Sequence, residues 1–449
     1  MQRFIEHCRQ RGDVLDIHAE VDPEFEAAAI IAEVQAQGNQ IVVFHRVRGH
    51  SMPVVSNLYG SHARLAHLLG VSGPGDSISR ALNRHIERSV AATSAATRPA
   101  TGAEERQPCR LSDVPLLRYH AEDAGRYLTA GLFLVRDPDT GVHNLSFHRG
   151  LYVSDEELRI SLGPRHDLGR LQARAEADNQ EVPATILLGA SPALFLAACT
   201  SIPPDADELA LAASIAGAPL ETRPARTQDL AVPVDADIVI EGRILPHERR
   251  PEAPFGEWMG YYIDQKQSHV FQVDHVAARP GAMAHGLLCG ANEDLRPLEA
   301  STAARIFKML DQQFPGIVDV VCFPTMLCTV ICLRPSYEGQ ARQVLLAAIS
   351  AHFLYSKLCI VVNDDVDPYS LEDVIWAFLT RARPDQRALI LGDLPGFFRD
   401  PHKDHWGRLA LDATIPWGRE HEFRRKTVPG RDRIRLTDWL TAPTSTPTE

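Results

Sequence analysis

Glu252-Ala-Pro-Phe-Gly-Glu257 sets two carboxylates five residues apart around a proline and a glycine, and Trp258-Met-Gly-Tyr-Tyr262 follows directly. A helix would carry such a pair on different faces, and Pro254 cannot donate a backbone hydrogen bond, so the run predicts a rigid bend that presents both side chains. Two carboxylates held close cannot both ionise cheaply. One then keeps a proton near neutrality and serves as an acid, while a nearby arginine keeps the other charged. On its own the run is a weak signal, because glutamates flanking a turn are usually solvated. Upstream, Asn144-Leu-Ser-Phe-His-Arg149 offers an amide and a guanidinium on a strand-like stretch. Period-2 alternation puts them on opposite faces unless the strand bulges. His166, in Gly163-Pro-Arg-His166, and Glu208, ahead of an Ala-rich helix, complete with Asn144 a hard, oxygen-leaning set. Such a set suits a manganese or magnesium ion that also binds phosphate. Each member has a bland reading as well: asparagine as a turn residue, histidine as a surface group, Glu208 as a helix N-terminal acid.

These groups need a scaffold. An opening helix, a break at Gly12-Asp13, an Ala-rich helix from Glu24 to Ala36, a strand at Gln40 to Phe44 and the Val54 to Gly60 segment leading to a helix through Leu69 describe a small α/β unit. The stretch from Val90 to Gln107 is rich in breakers and reads as a linker or an exposed excursion. From Leu132 to Leu288, β-type runs dominate (Leu132 to Val135, Ala184 to Leu188, Ile238 to Ile240, Val270 to Val276), with helical patterns at Leu168 to Ala177 and Pro192 to Cys199. Their alternation predicts antiparallel strands of a barrel or sandwich. Thr302 to Phe314 reads as an amphipathic helix leading into an α/β region with strands at Val318 to Cys322, Cys328 to Leu333 and Leu358 to Val362 and a helix from Gly339 to Phe353.

Composition narrows the function classes. A chain of 449 residues with 45% hydrophobic and 23% charged residues is a globular protein of two or three domains. Its formal charge of -12 argues against nucleic acid. Neither a signal or transit pattern nor a membrane-length apolar run is evident, which predicts a cytoplasmic protein without a membrane partner. Eight cysteines include no CxxC pair, and those at Cys322, Cys328 and Cys332 sit in apolar runs, which predicts reduced core thiols.

Read in order, Gly12-Asp-Val-Leu-Asp-Ile17, Asn57-Leu-Tyr-Gly60, Asn144…Arg149, His166, Gly189-Ala-Ser-Pro192, Glu208-Leu-Ala-Leu-Ala-Ala, Ile240-Glu-Gly242, Glu252…Glu257, Asp364-Asp-Val-Asp367, Val374 to Phe378, Thr380-Arg381 and Leu411-Asp-Ala-Thr414 resemble the UbiD family of reversible decarboxylases over nearly the whole chain. The resemblance implies a mixed α+β and α/β multidomain fold: an N-terminal α/β region over 1–106, a flavin-binding split β-barrel over 107–297, a linker helix over 298–316, a C-terminal α/β dimerisation domain over 317–441, and a disordered tail over 442–449. It implies prenylated FMN as cofactor, supplied by a separate flavin prenyltransferase, with manganese (or magnesium) held by Asn144, His166 and Glu208, and potassium near Ala197 to Thr200. Leu145, Ser146, Phe147, His148, Arg149, Arg165 and Thr200 join the metal set as implied cofactor contacts, and Lys357 is a candidate for balancing phosphate charge. Arg149, Glu252 and Glu257 become the catalytic set. Loss of CO2 from an sp2 carbon leaves an in-plane carbanion, so a covalent adduct between cofactor and substrate is implied, with Glu257 as proton donor and Glu252 and Arg149 setting its proton affinity and orienting the substrate carboxylate.

The chain departs from the family pattern at Ala253, usually glycine, and at Trp258 and Met259, where smaller or more polar residues are usual. Trp258 and Met259 either pack against the barrel or narrow the pocket toward a flat substrate. Asn292 either meets a ring NH or heteroatom or lies at the surface, and Phe397 falls where the family places an aromatic over the substrate. The expectation is a carboxy-lyase, a homodimer or a dimer-based higher oligomer, that acts on a small aromatic, heteroaromatic or α,β-unsaturated acid, with pyrrole-, furan- or indole-type carboxylates favoured. An FMN-dependent reductase and a non-catalytic flavin carrier are the rival readings.

Overall fold

The structure is a computed structural model of the full chain. It describes all residues except 74, 93–94, 103–105, 165, 204, 324, 352–354, 398–399, 401–404, 436–438 and 440–449. Arg165 and the expected disordered tail therefore lie outside the described residues.

The N-terminal unit begins with the helix Gln2–Arg9 and forms a four-stranded sheet in the order Val14–Val21, Ile41–Val47, Val54–Ser56, Ala284–His285. The last strand comes from more than two hundred residues downstream and ties the unit to the middle of the chain. The Ala-rich helix spans Glu26–Gln37, starting later than its composition suggests because Asp22 to Phe25 form a turn with Phe25 at a φ of 71°. The helix Ile78–Ala91, unread in the sequence, is capped by the Ser77 hydroxyl, which accepts from the Arg80 amide. Beyond it, Thr97–Pro99 pairs in parallel with Leu220–Thr222, so the expected linker contributes a short strand.

The central region is a nine-stranded sheet. Its path runs Tyr127–Leu128, Gly150–Ser154, Glu157–Ile160, Ser268–Ala278, Ala236–Arg250, Val182–Ala190, Leu132–Arg136, His143–Phe147, with Gln107–Pro108 alongside Ser268–Ala278. Neighbouring strands along this path pair antiparallel, as the alternation predicts. The end strands of the path do not pair with each other among the described residues. The apolar run Val182–Ala190 lies between two neighbours and is buried at every position but Pro183.

The linker helix is longer than its apolar pattern suggests: it spans Asn292–Gln313 and carries Pro297 in its second turn. Ala303, Ile306, Phe307 and Leu310 pack into the C-terminal core, whereas Ala304 faces the core shared by the N-terminal and central regions. The C-terminal sheet runs Ile317–Val321, Cys328–Leu333, Leu358–Asn363, His405–Asp412, Ala388–Pro395, with the three middle strands parallel. Two separate hydrophobic clusters cover its faces. All eight cysteines are free, and Cys322, Cys328 and Cys332 are buried as expected. No described helix is long and apolar enough to cross a membrane.

One buried carboxylate joins the N-terminal unit to the linker helix. Glu293 accepts from the amides of Asn57 and Leu58 at 2.5 and 2.7 Å, from Ser56 Oγ at 3.3 Å, and lies 2.9 Å from His285 Nε2. The Asn57-Leu-Tyr-Gly60 segment thus bends to deliver two amides to one acid. Glu293→Ala strands these donors away from water and is expected to cost about 3 kcal/mol or more, since each buried unpaired donor costs roughly 1–3 kcal/mol. Urea unfolding checks this; a change below about 1 kcal/mol would mean the donors find other partners.

Candidate active site

The hairpin Leu132–Arg136/His143–Phe147 ends at Phe147, and the chain re-enters the sheet at Gly150 beside Tyr127–Leu128. Asn144 and Arg149 therefore do not share one regular strand: His148 and Arg149 occupy the break, and alternation does not govern where the guanidinium points. Its side chain is buried and grips Glu252 through two bonds, Nε to Oε1 at 2.7 Å and Nη2 to Oε2 at 3.0 Å. Nη1 reaches Glu257 Oε2 at 2.9 Å. Phe255 stacks below, with the guanidinium carbon 4.4 Å from its ring centroid. One cation thus serves two buried carboxylates, which leaves the cluster with a surplus negative charge when both are ionised.

The bend expected between the glutamates is present, and the Ala253–Pro254 peptide is cis. Tyr127 donates its hydroxyl to the Glu252 carbonyl at 2.5 Å, and Ser268 Oγ lies 3.5 Å from Glu252 Oε2. Phe255–Gly256 pairs with Tyr262–Ile263, and the Glu257 amide donates to Tyr261 O at 3.0 Å, closing the turn that carries Glu257, Trp258 and Met259. Gly256 is required by space: a Cβ there would lie 2.5 Å from His120 Nδ1. Gly290 is required twice, by a φ of +78° and by the backbone of Trp258, 3.1 Å from where its Cβ would be.

Trp258 is half-buried and its ring lies 5.2 Å from that of Phe397, which in turn lies 5.9 Å from Tyr355. The C-terminal domain therefore supplies two aromatic rings beside the turn that carries Glu257. Met259 is half-buried in the same turn. Asn292 opens the linker helix; its amide donates to Gln35 Oε1 at 2.7 Å and its Oδ1 accepts from Arg296 at 3.3 Å. Lys357 pairs with Asp400 at 3.2 Å and stacks 4.4 Å above Trp406, all within the C-terminal domain.

A second cluster surrounds Glu208, the first residue of the helix Glu208–Ala216. The buried carboxylate accepts from Asn144 Nδ2 at 3.3 Å and the Leu145 amide at 3.2 Å. Asn144 Oδ1 accepts from Ser146 Oγ at 3.0 Å, and Ser146 Oγ lies 2.9 Å from His148 Nε2. The rings of His148 and His166 are 6.0 Å apart, and His166 packs against the open space over Gly163, where a Cβ would lie 3.2 Å from its ring. Thr200 caps its own helix end by donating Oγ1 to Leu196 O at 2.6 Å. Phe147 contacts Phe195 edge-on, with centroids 5.7 Å apart. Among the described residues no three His, Cys, Asp or Glu side chains converge as a metal site, so a cation here depends on the amide oxygen of Asn144. The cluster fits one: burial raises the Glu208 carboxyl to about 8, and no ion pair offsets that among the described residues. A half-turn of the Asn144 amide presents Oδ1 beside Glu208.

Because the folded-state value lies above the unfolded one, the metal-free folded protein holds an extra proton between about pH 4.5 and about 8, and its stability falls as pH rises through that window. Glu208→Gln removes this slope. Metal-free Glu208→Gln is expected to melt above wild type at pH 8.5 and near it at pH 5, and added manganese to stabilise wild type only. Equal melting at both pH values would show that Glu208 is not held protonated.

Reading the residues one by one misses Tyr127, Tyr355, Cys289 and Asp294. Nothing local in the chain ties any of them to Glu257.

Sequence comparison assigns all three regions. The chain matches the 3-octaprenyl-4-hydroxybenzoate carboxy-lyase N-terminal domain over residues 5–82, its Rift-related domain over 90–292 and its C-terminal domain over 298–413. It is 29% identical over 431 residues to anhydromevalonate phosphate decarboxylase of Methanothermobacter thermautotrophicus, covering 95% of this chain and 99% of that one. The UbiD-class enzyme HmfF of Pelotomaculum thermopropionicum, solved in complex with FMN, superposes with a TM-score of 0.90 at 30% identity, covering 98% of this chain and 99% of that one. An evolved dimeric form of that enzyme carries prenylated FMN. Vanillic acid decarboxylase of Sedimentibacter hydroxybenzoicus, in its closed form, superposes with a TM-score of 0.79 at 26% identity over 96% of both chains. Fold and sequence together define a carboxy-lyase. The chain belongs to the UbiD family of decarboxylases.

Proposed function

We propose that this protein uses prenylated FMN to decarboxylate a compact, flat, conjugated carboxylic acid, aromatic, heteroaromatic or α,β-unsaturated, with a pyrrole-, furan- or indole-type carboxylate favoured, and that Glu257 delivers the proton that replaces CO2. The observation that carries the reading is the buried Arg149 bridging Glu252 and Glu257. When bound, prenylated FMN supplies the electron sink that an in-plane carbanion lacks. Every other task falls to the chain. Arg149 fixes Glu252 with a bidentate grip and reaches Glu257 through a single bond, so Glu252 acts as a permanent counter-charge and Glu257 is the member that gives up a proton. The substrate carboxylate enters beside the guanidinium, and Trp258 with Phe397 and Tyr355 excludes water and favours a flat ring. Asn144, His166 and Glu208 hold the divalent ion, manganese or magnesium, that anchors the cofactor phosphate, while His148, Ser146 and Thr200 shape the same wall. Potassium, a dimer-based assembly, a cytoplasmic setting and supply of the cofactor by a flavin prenyltransferase belong to the same reading.

The relatives bracket the substrate: one is named for an anhydromevalonate phosphate and another for vanillic acid. The indole of Trp258 beside Phe397 favours the flat end of that range. The test is CO2 release from protein co-expressed with a flavin prenyltransferase, over a panel of aromatic, heteroaromatic and unsaturated acids. Turnover of a five-membered heteroaromatic acid is expected. Turnover of bulky acyclic acids alone would overturn the substrate assignment, and hydride transfer from a nicotinamide without CO2 release would overturn the reaction.

A further inference from the structure

The Oε1 edge of Glu257 faces the loop ahead of the linker helix. Cys289 Sγ lies 4.0 Å from Glu257 Oε1, the oxygen that Arg149 does not hold, and the Trp258 amide is 3.4 Å from the same atom. Behind the thiol stands Asp294, a buried acid in the first turn of the helix, which also bonds the Cys289 thiol. Asp294 Oδ2 accepts from the Gly290 amide at 2.7 Å, so the acid holds both the loop and the thiol it carries. Gly290 lies close against the backbone of Trp258, which leaves no room for a side chain between the loop and the Glu257 turn.

We propose that Cys289 and Asp294 are positioning residues for Glu257: the thiol donates to Oε1, and Asp294 fixes the thiol in that orientation. The inference rests on Glu257 being the proton donor and adds to it a pair that no family-level likeness requires. A thiol carries one hydrogen and can point at only one acceptor at a time. Glu257 and Asp294 compete for it unless Asp294 is itself protonated, in which case Asp294 donates to sulfur and sulfur donates to Glu257. Burial favours that arrangement by raising the Asp294 carboxyl and the Cys289 thiol. The charged groups around the trio are Arg149 and Glu252 on the sheet side, Asp123 beneath the hairpin and Glu293 next to Asp294 on the helix. The thiol is a neutral donor to Oε1, and a neutral donor tunes the acid without locking it as a salt bridge would.

The test is a carboxyl carbon NMR titration of Glu257 in the flavin-free full chain, assigned by the signal lost in Glu257→Gln. A donor to the ionised form lowers a carboxyl's proton affinity, so Cys289→Ala is expected to raise the Glu257 midpoint by about half a pH unit. Cys289→Ser, which keeps an O–H, should bring it back to the wild-type value or below. Asp294→Leu should shift it in the direction of Cys289→Ala, and Asp294→Asn, which still donates to sulfur, should stay near wild type. Midpoints unchanged in both Cys289→Ala and Asp294→Leu would overturn the proposal. Should Asp294→Leu fail to fold, the Cys289→Ala and Cys289→Ser pair decides alone. Because the titration needs neither flavin nor substrate, its failure leaves the decarboxylase reading standing, and absence of CO2 release leaves the positioning pair standing.

Discussion

Glu257→Gln is expected to lower CO2 release by about 10²–10⁴-fold while leaving fold and flavin binding in place, since a positioned general acid contributes about that much. The amide oxygen still accepts from Arg149 Nη1, which reaches Oε2 at 2.9 Å in wild type, so the buried cation keeps its partner. What glutamine lacks is a proton of carboxylic acidity to pass on. Single-turnover decay of substrate with prenylated-FMN protein separates the steps: C–C cleavage should persist in the variant better than product formation. A loss below about tenfold would move the proton donor elsewhere, with the Cys289 thiol, 4.0 Å from Glu257 Oε1, the nearby candidate.

Arg149→Met should hurt both stability and activity. The guanidinium makes three bonds to Glu252 and Glu257, and both carboxylates are buried. Removing one partner of a buried ion pair costs about 3–5 kcal/mol because the remaining charge is left without compensation, and here two charges are left. The cost should be recoverable. Arg149→Met combined with Glu252→Gln and Glu257→Gln replaces the ionic cluster by neutral side chains of similar size, and it should regain most of the lost stability in urea unfolding while remaining inactive. A triple variant no more stable than Arg149→Met would mean that Phe255 stacking, not charge, accounts for the loss. Arg149→Lys should fall between, since an ammonium cannot reproduce the bidentate grip on Glu252.

The elements closest to the site were legible where their signals are local. The bend at Glu252 to Glu257, the strands Val182–Ala190 and Ser268–Ala278 and the helix at Glu208 follow from proline, alternation and apolar runs. The helix Ile78–Ala91 escaped because its apolar face is diluted by Arg80, Asn83, Arg84 and His85, of which Asn83 is buried and bonds Ala304 O across the interface. The linker helix extends beyond its apolar pattern for the same reason: its first turns, Asn292 to Leu298, are led by polar residues that serve the site rather than a core, with Glu293 clamping the Asn57 segment and Asp294 the Cys289 loop.

The sequence by itself determined which chemical groups exist and the short-range geometry of most: two acids around a proline bend, an arginine on a strand-like stretch, a glutamate at a helix start, and an ordered set of motifs that identifies the UbiD family. Tertiary structure alone decided which groups meet. Arg149 reaches Glu252 and Glu257 across separations of 103 and 108 residues, Glu208 reaches Asn144 across 64, and Cys289 reaches Glu257 across 32. The physical reason is one of range. Periodicity, capping and turn chemistry act over a few residues and leave their mark in the local pattern. Strand order, and the break after Phe147 that turns Arg149 inward, depend on how the whole chain shares out its buried surface.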